Sequence, residues 1–247
     1  MGPVELVILV LGLGVAGLAK GISGMGLPLI ATPILAGVIG ARLAVTVMTI
    51  PIFAANSLLL TQGLRERAML RDVTPFLAAG MVGTAIGTVL LAQLDQKVFA
   101  ILITAMVVVF LIGGDRLLGD DPAAVRARVV GPLTCFIGGV LQGTTSIASP
   151  LVGSYFHARR LAPAQFVFVL AAMFELNAVV QFVGYSIQGL YTPNAVALGL
   201  VAIVPTLIAL AIGIYLRGRL DAVWFRRFVV ALVLVSVINL LWRTFLS

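Results

Sequence analysis

Apolar residues run along this chain in long blocks that are separated by short polar stretches. A helix that crosses a bilayer needs about 20 apolar residues, and six blocks approach or exceed that length: 43–62, 73–93, 98–114, 162–184, 194–216 and 226–246. Four further blocks are shorter and form two adjacent pairs: 4–19 with 27–40, and 129–142 with 146–157. The pattern predicts an all-α polytopic membrane protein with ten segments, or with eight full spans if each short pair re-enters from one face.

The two short pairs each meet at a stretch rich in glycine and hydroxyl residues. Gly24 and Gly26 precede Pro28 in the first stretch, and Gly143 precedes Ser146 in the second. Glycine adopts backbone conformations that other residues avoid, and proline suits the first turn of a new helix. We therefore expect each pair to be a broken or re-entrant helical hairpin.

The two halves of the chain repeat one another. An ungapped alignment sets Gly26 on Gly143 and Pro33 on Pro150. We divide the chain into a first repeat, a linker and a second repeat, at 1–114, 115–128 and 129–247. Five segments per repeat is an odd number, so the second repeat enters the membrane from the opposite side. The prediction is two inverted five-segment repeats, an arrangement typical of secondary transporters.

Positive charge is distributed unevenly between the predicted loops. Of the 16 lysines and arginines, 13 fall on one side of the predicted membrane and 3 on the other, the side of the N-terminus. By the positive-inside rule the richer side is cytoplasmic, so both termini are expected outside. The net charge of +7 therefore indicates contact with anionic lipid rather than with nucleic acid.

The amino-acid composition excludes several classes of protein and several kinds of site. A chain that is 61% hydrophobic and 10% charged does not form a soluble domain with a polar surface. The single cysteine, Cys135, excludes an internal disulfide framework and a cysteine-based metal cluster, and we expect no metal and no cofactor. No basic residue precedes the first apolar block and Glu5 lies at its start, so we expect this block to be retained as a helix and not cleaved as a signal peptide.

Polar groups and glycines around the two breaks are the candidate substrate ligands. A helix that begins near Leu27, or near Ser146, presents unpaired backbone N–H groups and the positive end of its dipole, which suits an oxyanion. The proposed cradle comprises Ser23, Gly24, Gly26, Gln142, Gly143, Thr144, Thr145 and Ser146, with Lys20 supplying charge. The alternatives are that Lys20 snorkels to an interface, that the hydroxyls bond to their own backbone, and that the glycines only pack helices.

Three polar residues within the long segments extend this set. Glu175 is the one acidic residue inside a predicted span, where an ionisable group is a functional candidate. It is expected to carry a coupled proton, or else to be a structural carboxyl bonded to Asn177 or Gln181. Asn56 and Asn177 either line the substrate cavity or bridge helices. His157 is placed at the membrane interface.

The break sequences resemble a known family. GISGMGLPLIATPIL at 21–35 and GGVLQGTTSIASPLVGSYF at 138–156 resemble the paired signature of the sulfite exporter TauE/SafE family, within the toluene sulfonate uptake permease superfamily. Many members carry three successive glycines before the proline, where this chain has Gly24-Met25-Gly26. The resemblance implies a multi-pass carrier in the bacterial inner membrane for sulfite, sulfonates or sulfoacetate, often an exporter that uses the proton gradient.

These observations predict a secondary transporter of small organic or sulfur-containing anions that works by alternating access. A passive anion channel of the same architecture is the alternative. An enzyme is not expected, because the spans lack paired carboxylates and a mid-span histidine, and Ser23 with Lys20 is the only pair that resembles a catalytic dyad. The expected partners are the anion and membrane lipid, and a homodimer is the assembly considered.

Overall fold

The computed structural model describes residues 2–111, 129–217, 219 and 222–245. Within these ranges it contains ten α-helices and no strand. In chain order they are α1 (Pro3–Ser23), α2 (Leu27–Ile39), α3 (Ala41–Gln62), α4 (Met69–Gln93), α5 (Gln96–Leu111), α6 (Val130–Thr145), α7 (Ser149–Ala158), α8 (Pro163–Ile187), α9 (Pro193–Leu216) and α10 (Ala222–Phe245), with a 3-10 turn at Leu64–Glu66. The all-α class is confirmed, and the predicted linker 115–128 lies outside the described residues.

Five of the described helices are long and apolar enough to cross a membrane: α1, α3, α4, α8 and α9. The prediction that the first block is a short half-helix is wrong, because α1 continues through Lys20 to Ser23. Its 21 residues extend about 30 Å, the thickness of a bilayer's hydrocarbon core. Lys20 and Gly21 lie within this helix, and Gly21 packs against α9.

Both breaks exist where the glycine-rich stretches predicted them. α1 ends on Gly24, with φ 83°, and α6 ends on Ser146, with φ 61°, both in the left-handed region. Pro28 and Pro150 each lie in the first turn of the helix that follows. If the helix ends at Gly24 and Ser146 correspond, Pro28, and not Pro33, corresponds to Pro150. The ungapped alignment of the two repeats is therefore wrong. It failed because matching glycines alone does not separate those at a break from those that pack helices.

Glycines allow α1 to lie directly against α9. A Cβ atom placed on Gly17 would overlap Thr206, and one placed on Gly21 would overlap Gly213. Residue numbers rise together along the contact, so the two helices run in the same direction. Close approach through small residues is a common mode of helix packing in membranes.

The pair formed by α4 and α6 packs in the same way. Gly83 of α4 lies against the backbone of Phe136, and Gly87 lies against Gly143 of α6. These helices also run in the same direction. If α1–α5 and α6–α10 are taken as the two predicted repeats, the fourth helix of each one packs on the first helix of the other.

The helices α3 and α8, the third helix of each predicted repeat, pack against each other. The rings of Phe53 and Phe182 meet edge to face, with centroids 5.4 Å apart. Further along, the Ser57 hydroxyl donates to a carboxylate oxygen of Glu175. Residue numbers rise on one helix as they fall on the other, so α3 and α8 are antiparallel.

Candidate functional site

A cavity of about 340 Å³ lies where the first break approaches α7. Its walls come from both broken hairpins and from α5 and α10, and its lining residues are Ala19, Ile22, Ser23, Met25, Gly26, Leu29, Ile30, Phe110, Ser149, Pro150, Gly153, Ser154, His157 and Val229. The sulfur of Met25 lies 2.8 Å from the point that a Cβ of Gly153 would occupy. The first break and α7 are therefore in direct contact beside the cavity.

Two helices begin at the wall of this cavity. α2 begins at Leu27, directly after Gly26 in the left-handed conformation (φ 95°). α7 begins at Ser149, and Pro150 occupies its first turn. The first N–H groups of a helix have no partner within the helix, and the dipole makes this end positive. The cavity therefore combines two helix ends that attract negative charge.

Three hydroxyl groups line the cavity, and two of them have partners in the backbone. The Ser23 hydroxyl donates to the carbonyl of Ala19 at 2.8 Å, and that of Ser154 donates to the carbonyl of Leu151 at 2.8 Å. Ser149 is 3% exposed, and its hydroxyl has no hydrogen-bond partner among the described residues. A buried hydroxyl without a partner costs about 1–3 kcal/mol, so Ser149 is the group with most to gain from a polar ligand.

Side chains of α8 donate hydrogen bonds to residues of the second break. The side-chain amide of Gln181 donates to the carbonyl of Gln142 at 2.8 Å, and the Tyr185 hydroxyl donates to the carbonyl of Gly143 at 2.6 Å. Gln181 also donates to the Ser146 hydroxyl at 3.4 Å. The carbonyl of Gln142 also accepts from the backbone N–H of Ser146 at 2.9 Å, so Gln181 adds a second donor there, while Tyr185 supplies a donor to the carbonyl of Gly143.

The hydroxyls of the second break bond to nearby backbone. Thr144 donates to the carbonyl of Val140 at 2.9 Å, and Thr145 donates to that of Leu141 at 2.8 Å. The Ser146 hydroxyl donates to the carbonyl of Val45 on α3 at 3.4 Å. None of the predicted ligands at 142–146 lines the cavity, and their contacts are those of the backbone-bonding and packing alternatives.

Lys20 faces the interior of the bundle. It is 2% exposed, and its Nζ lies 5.9 Å from the centroid of the Phe174 ring on α8. The neighbouring carbonyl of Gly21 accepts hydrogen bonds from Arg217 Nε at 3.1 Å and from an Arg217 terminal nitrogen at 2.7 Å. Lys20 thus does not snorkel to an interface, and Arg217 fastens the end of α1 to the end of α9. Gly24 packs against Val167.

A second polar group lies at the crossing of α3 and α8, apart from the residues that line the cavity. One oxygen of Glu175 accepts from Ser57 at 2.5 Å, where the sequence suggested Asn177 or Gln181 as partners. The other oxygen, and the side-chain amides of Asn56 and Asn177, are buried without partners in the described part of the chain. The two asparagines are 0% and 1% exposed, and neither lines the cavity.

The sequence profile of the family described as sulfite exporter TauE/SafE matches residues 8–240. The match spans both breaks, the cavity residues and the crossing of α3 and α8. The chain belongs to the sulfite exporter TauE/SafE family. It is accordingly a multi-pass membrane protein of a transporter family for sulfite-type anions, as the resemblance predicted. No match was found among curated proteins or among solved structures.

Within this member of the TauE/SafE family, the cavity includes residues that sequence reasoning missed. Ser149, Gly153 and His157 are four residues apart and lie on one face of α7. The sequence predicted an interfacial position for His157, and it did not single out Ser149 as a ligand. The spacing of these three residues was visible in the sequence, but the sequence did not reveal that this face of α7 points toward the first break. Ser23 and Gly26 are the predicted ligands that do line the cavity.

Proposed function

We propose that the protein is a secondary transporter of small organic or sulfur-containing anions, of the sulfite, sulfonate or sulfoacetate type, and that it works by alternating access. The observation that carries this proposal is the cavity at the first break, where α2 and α7 begin and the buried Ser149 hydroxyl has no partner among the described residues. Within the described structure no acidic side chain lines the cavity.

The electrostatics of the cavity favour an anion over a cation. Each helix start stabilises a nearby negative charge by about 0.3–2 kcal/mol, depending on burial. The starts of α2 and α7, together with the Ser149 hydroxyl, offset part of the free-energy cost of dehydrating a small anion. These contacts come from backbone and hydroxyl groups, so binding remains reversible, as a carrier requires.

The packing of the helices supports an inverted repeat. The contact of α1 with α9 has its counterpart in the contact of α6 with α4, and the equivalent helices α3 and α8 cross antiparallel. Both features are expected if α1–α5 and α6–α10 are related by a two-fold axis in the membrane plane. In transporters built in this way, alternating access is largely a rocking or gating of one repeat against the other around the substrate site.

We place the protein in the bacterial inner membrane with both termini outside, on the strength of the charge distribution and the family. This orientation puts the 115–128 linker and the loop that contains Arg65 on the cytoplasmic side. The cavity mouth, where Ser23 and His157 are exposed, then faces the cytoplasm, which suits an exporter that loads its substrate there.

Glu175 is the residue to which we assign proton coupling. It is an acidic group inside a predicted span, with one oxygen bonded to Ser57 and the other buried and without a partner in the described structure. Lys20 lies close enough to interact with it electrostatically. A change in charge at Glu175 would therefore act on α3, α8 and α1 together.

Transport in proteoliposomes tests the proposal. We expect an imposed pH gradient to drive accumulation of sulfite or a sulfonate, and we expect anion on the opposite side to stimulate exchange. Glu175→Gln should reduce gradient-driven accumulation at least tenfold while exchange continues, because the variant still binds anion but cannot release a proton. Asp72→Asn, at an exposed position, is the matched control.

Two results would count against the proposal. Flux that is insensitive to the pH gradient and shows no stimulation by anion on the opposite side would indicate the passive channel. Equal loss of accumulation and of exchange in Glu175→Gln, together with lower thermal stability, would give Glu175 a structural role.

A further inference from the structure

The cavity at the first break has two chemically different walls. The wall formed by α7 carries Ser149, Ser154 and His157, and it is the polar one. An apolar wall is formed by Leu29 and Ile30 of α2, with Phe110 of α5 and Val229 of α10. A ligand that satisfies both walls needs both a polar part and an apolar part.

The position of Ser149 indicates where the polar part binds. Ser149 is buried at the start of α7, whereas His157 near the end of that helix is exposed. The eight residues between them correspond to about 12 Å along the helix. The unpartnered hydroxyl and the positive helix end thus lie at the inner end of the cavity, and the apolar wall extends from there.

Resting on the proposed function, we infer that the transported anion is organic and has an apolar body of several carbon atoms. Its acidic group binds at the hydroxyl and the backbone N–H of Ser149, at the start of α7, and its carbon body lies along Leu29, Ile30 and Phe110. A bare sulfite ion has four non-hydrogen atoms and leaves most of the 340 Å³ unfilled. Pockets for organic ligands begin at about 300 Å³ and are mostly apolar.

A homologous series of alkanesulfonates tests this inference. Purified protein is titrated calorimetrically with sulfite, methanesulfonate, butanesulfonate and hexanesulfonate. Each added methylene is expected to tighten binding by about fourfold, until the tail fills the cavity. 1-Hexanol, which has the same tail and no charge, is the control for nonspecific partition into the apolar wall or the detergent, and it should bind far more weakly than hexanesulfonate.

Two variants locate the ends of the ligand. Ser149→Ala should weaken every sulfonate by about tenfold or more, because a hydrogen bond to a charged group is lost. Phe110→Ala should reduce the effect of chain length while methanesulfonate affinity stays the same. Ser186→Ala and Ile137→Ala change exposed residues outside the cavity, and they should leave both measurements unchanged.

The inference is overturned if methanesulfonate and hexanesulfonate bind equally, if hexanol matches hexanesulfonate, or if Ser149→Ala retains full affinity. The series on the unaltered protein decides the question even if a variant fails to fold. Exchange of sulfite in proteoliposomes without any effect of chain length would leave the proposed function standing and remove this inference. Absence of exchange for every anion would remove the proposed function itself.

Discussion

At the scale of single residues, Tyr185 stabilises the second break. Its hydroxyl donates to the carbonyl of Gly143 at 2.6 Å and accepts from Gln181 at 2.9 Å. Tyr185 is fully buried, and in a bilayer core no water replaces a lost partner. The Tyr185 oxygen thus supplies a donor to the carbonyl of Gly143 and accepts from the Gln181 amide, which itself donates to the preceding carbonyl of Gln142.

Tyr185→Phe is therefore expected to lower the free energy of unfolding by about 1–3 kcal/mol, because a buried carbonyl loses its donor. The shift would be seen as a lower thermal transition of the purified protein. Tyr215→Phe is the matched control, since Tyr215 is 66% exposed, and its transition should not change. Equal stability of the two variants would show that the hydrogen bond to Gly143 contributes nothing measurable.

At the scale of elements, α1 requires glycine where it packs against α9. Gly21 is so close to the backbone of Leu210 and Gly213 on α9 that a Cβ would overlap them, whereas a Cβ on Gly14 meets nothing within 4 Å. Both glycines belong to the same helix. Comparing an alanine substitution at each position therefore separates the effect of packing from that of helix propensity.

Gly21→Ala should destabilise the protein by about 1–3 kcal/mol, because overpacking at a backbone contact forces α1 away from α9. Gly14→Ala should be neutral or stabilise by up to about 1 kcal/mol, because alanine favours the helix. Thermal unfolding of the two variants, measured in parallel, checks both signs. Destabilisation of the same size in both would mean that the α1–α9 contact does not require glycine.

At the scale of the whole molecule, the proposed inverted repeat sets the side of the membrane on which each loop lies. It places the loop after α3 and the loop before α9 on opposite sides of the membrane. In the proposed orientation the first of these loops is cytoplasmic. Arg65 in the first loop and Asn194 at the start of α9 are both exposed, so each can report the side on which it lies.

Single cysteines at these positions, in a Cys135→Ala background, test the orientation. A membrane-impermeant maleimide applied to intact cells should label Asn194→Cys within minutes, and it should label Arg65→Cys only after the membrane is opened. Cys135 is buried, so its removal should not perturb the surface. Labelling of both positions from the same side would contradict the inverted arrangement.

Local sequence predicted most of the helices because the bilayer imposes one strong rule. A segment that crosses hydrocarbon must be apolar, long enough and helical, since its backbone must satisfy its own hydrogen bonds. The prediction erred where polar residues lie inside a helix. Lys20 looked like the end of a short block, yet it is buried against Phe174 within the 21-residue α1.

The sequence alone thus determined the class of the protein, its helical segments, its two breaks and its family, because each depends on residues close together in the chain or on total composition. The tertiary structure decided which polar groups face the cavity. Ser149 and Gly26 are more than a hundred residues apart, and they line one cavity because Met25 of the first break lies against Gly153 of α7. Thr144 and Thr145 have the same chemistry as Ser149, but their helix directs their hydroxyls back to its own carbonyls.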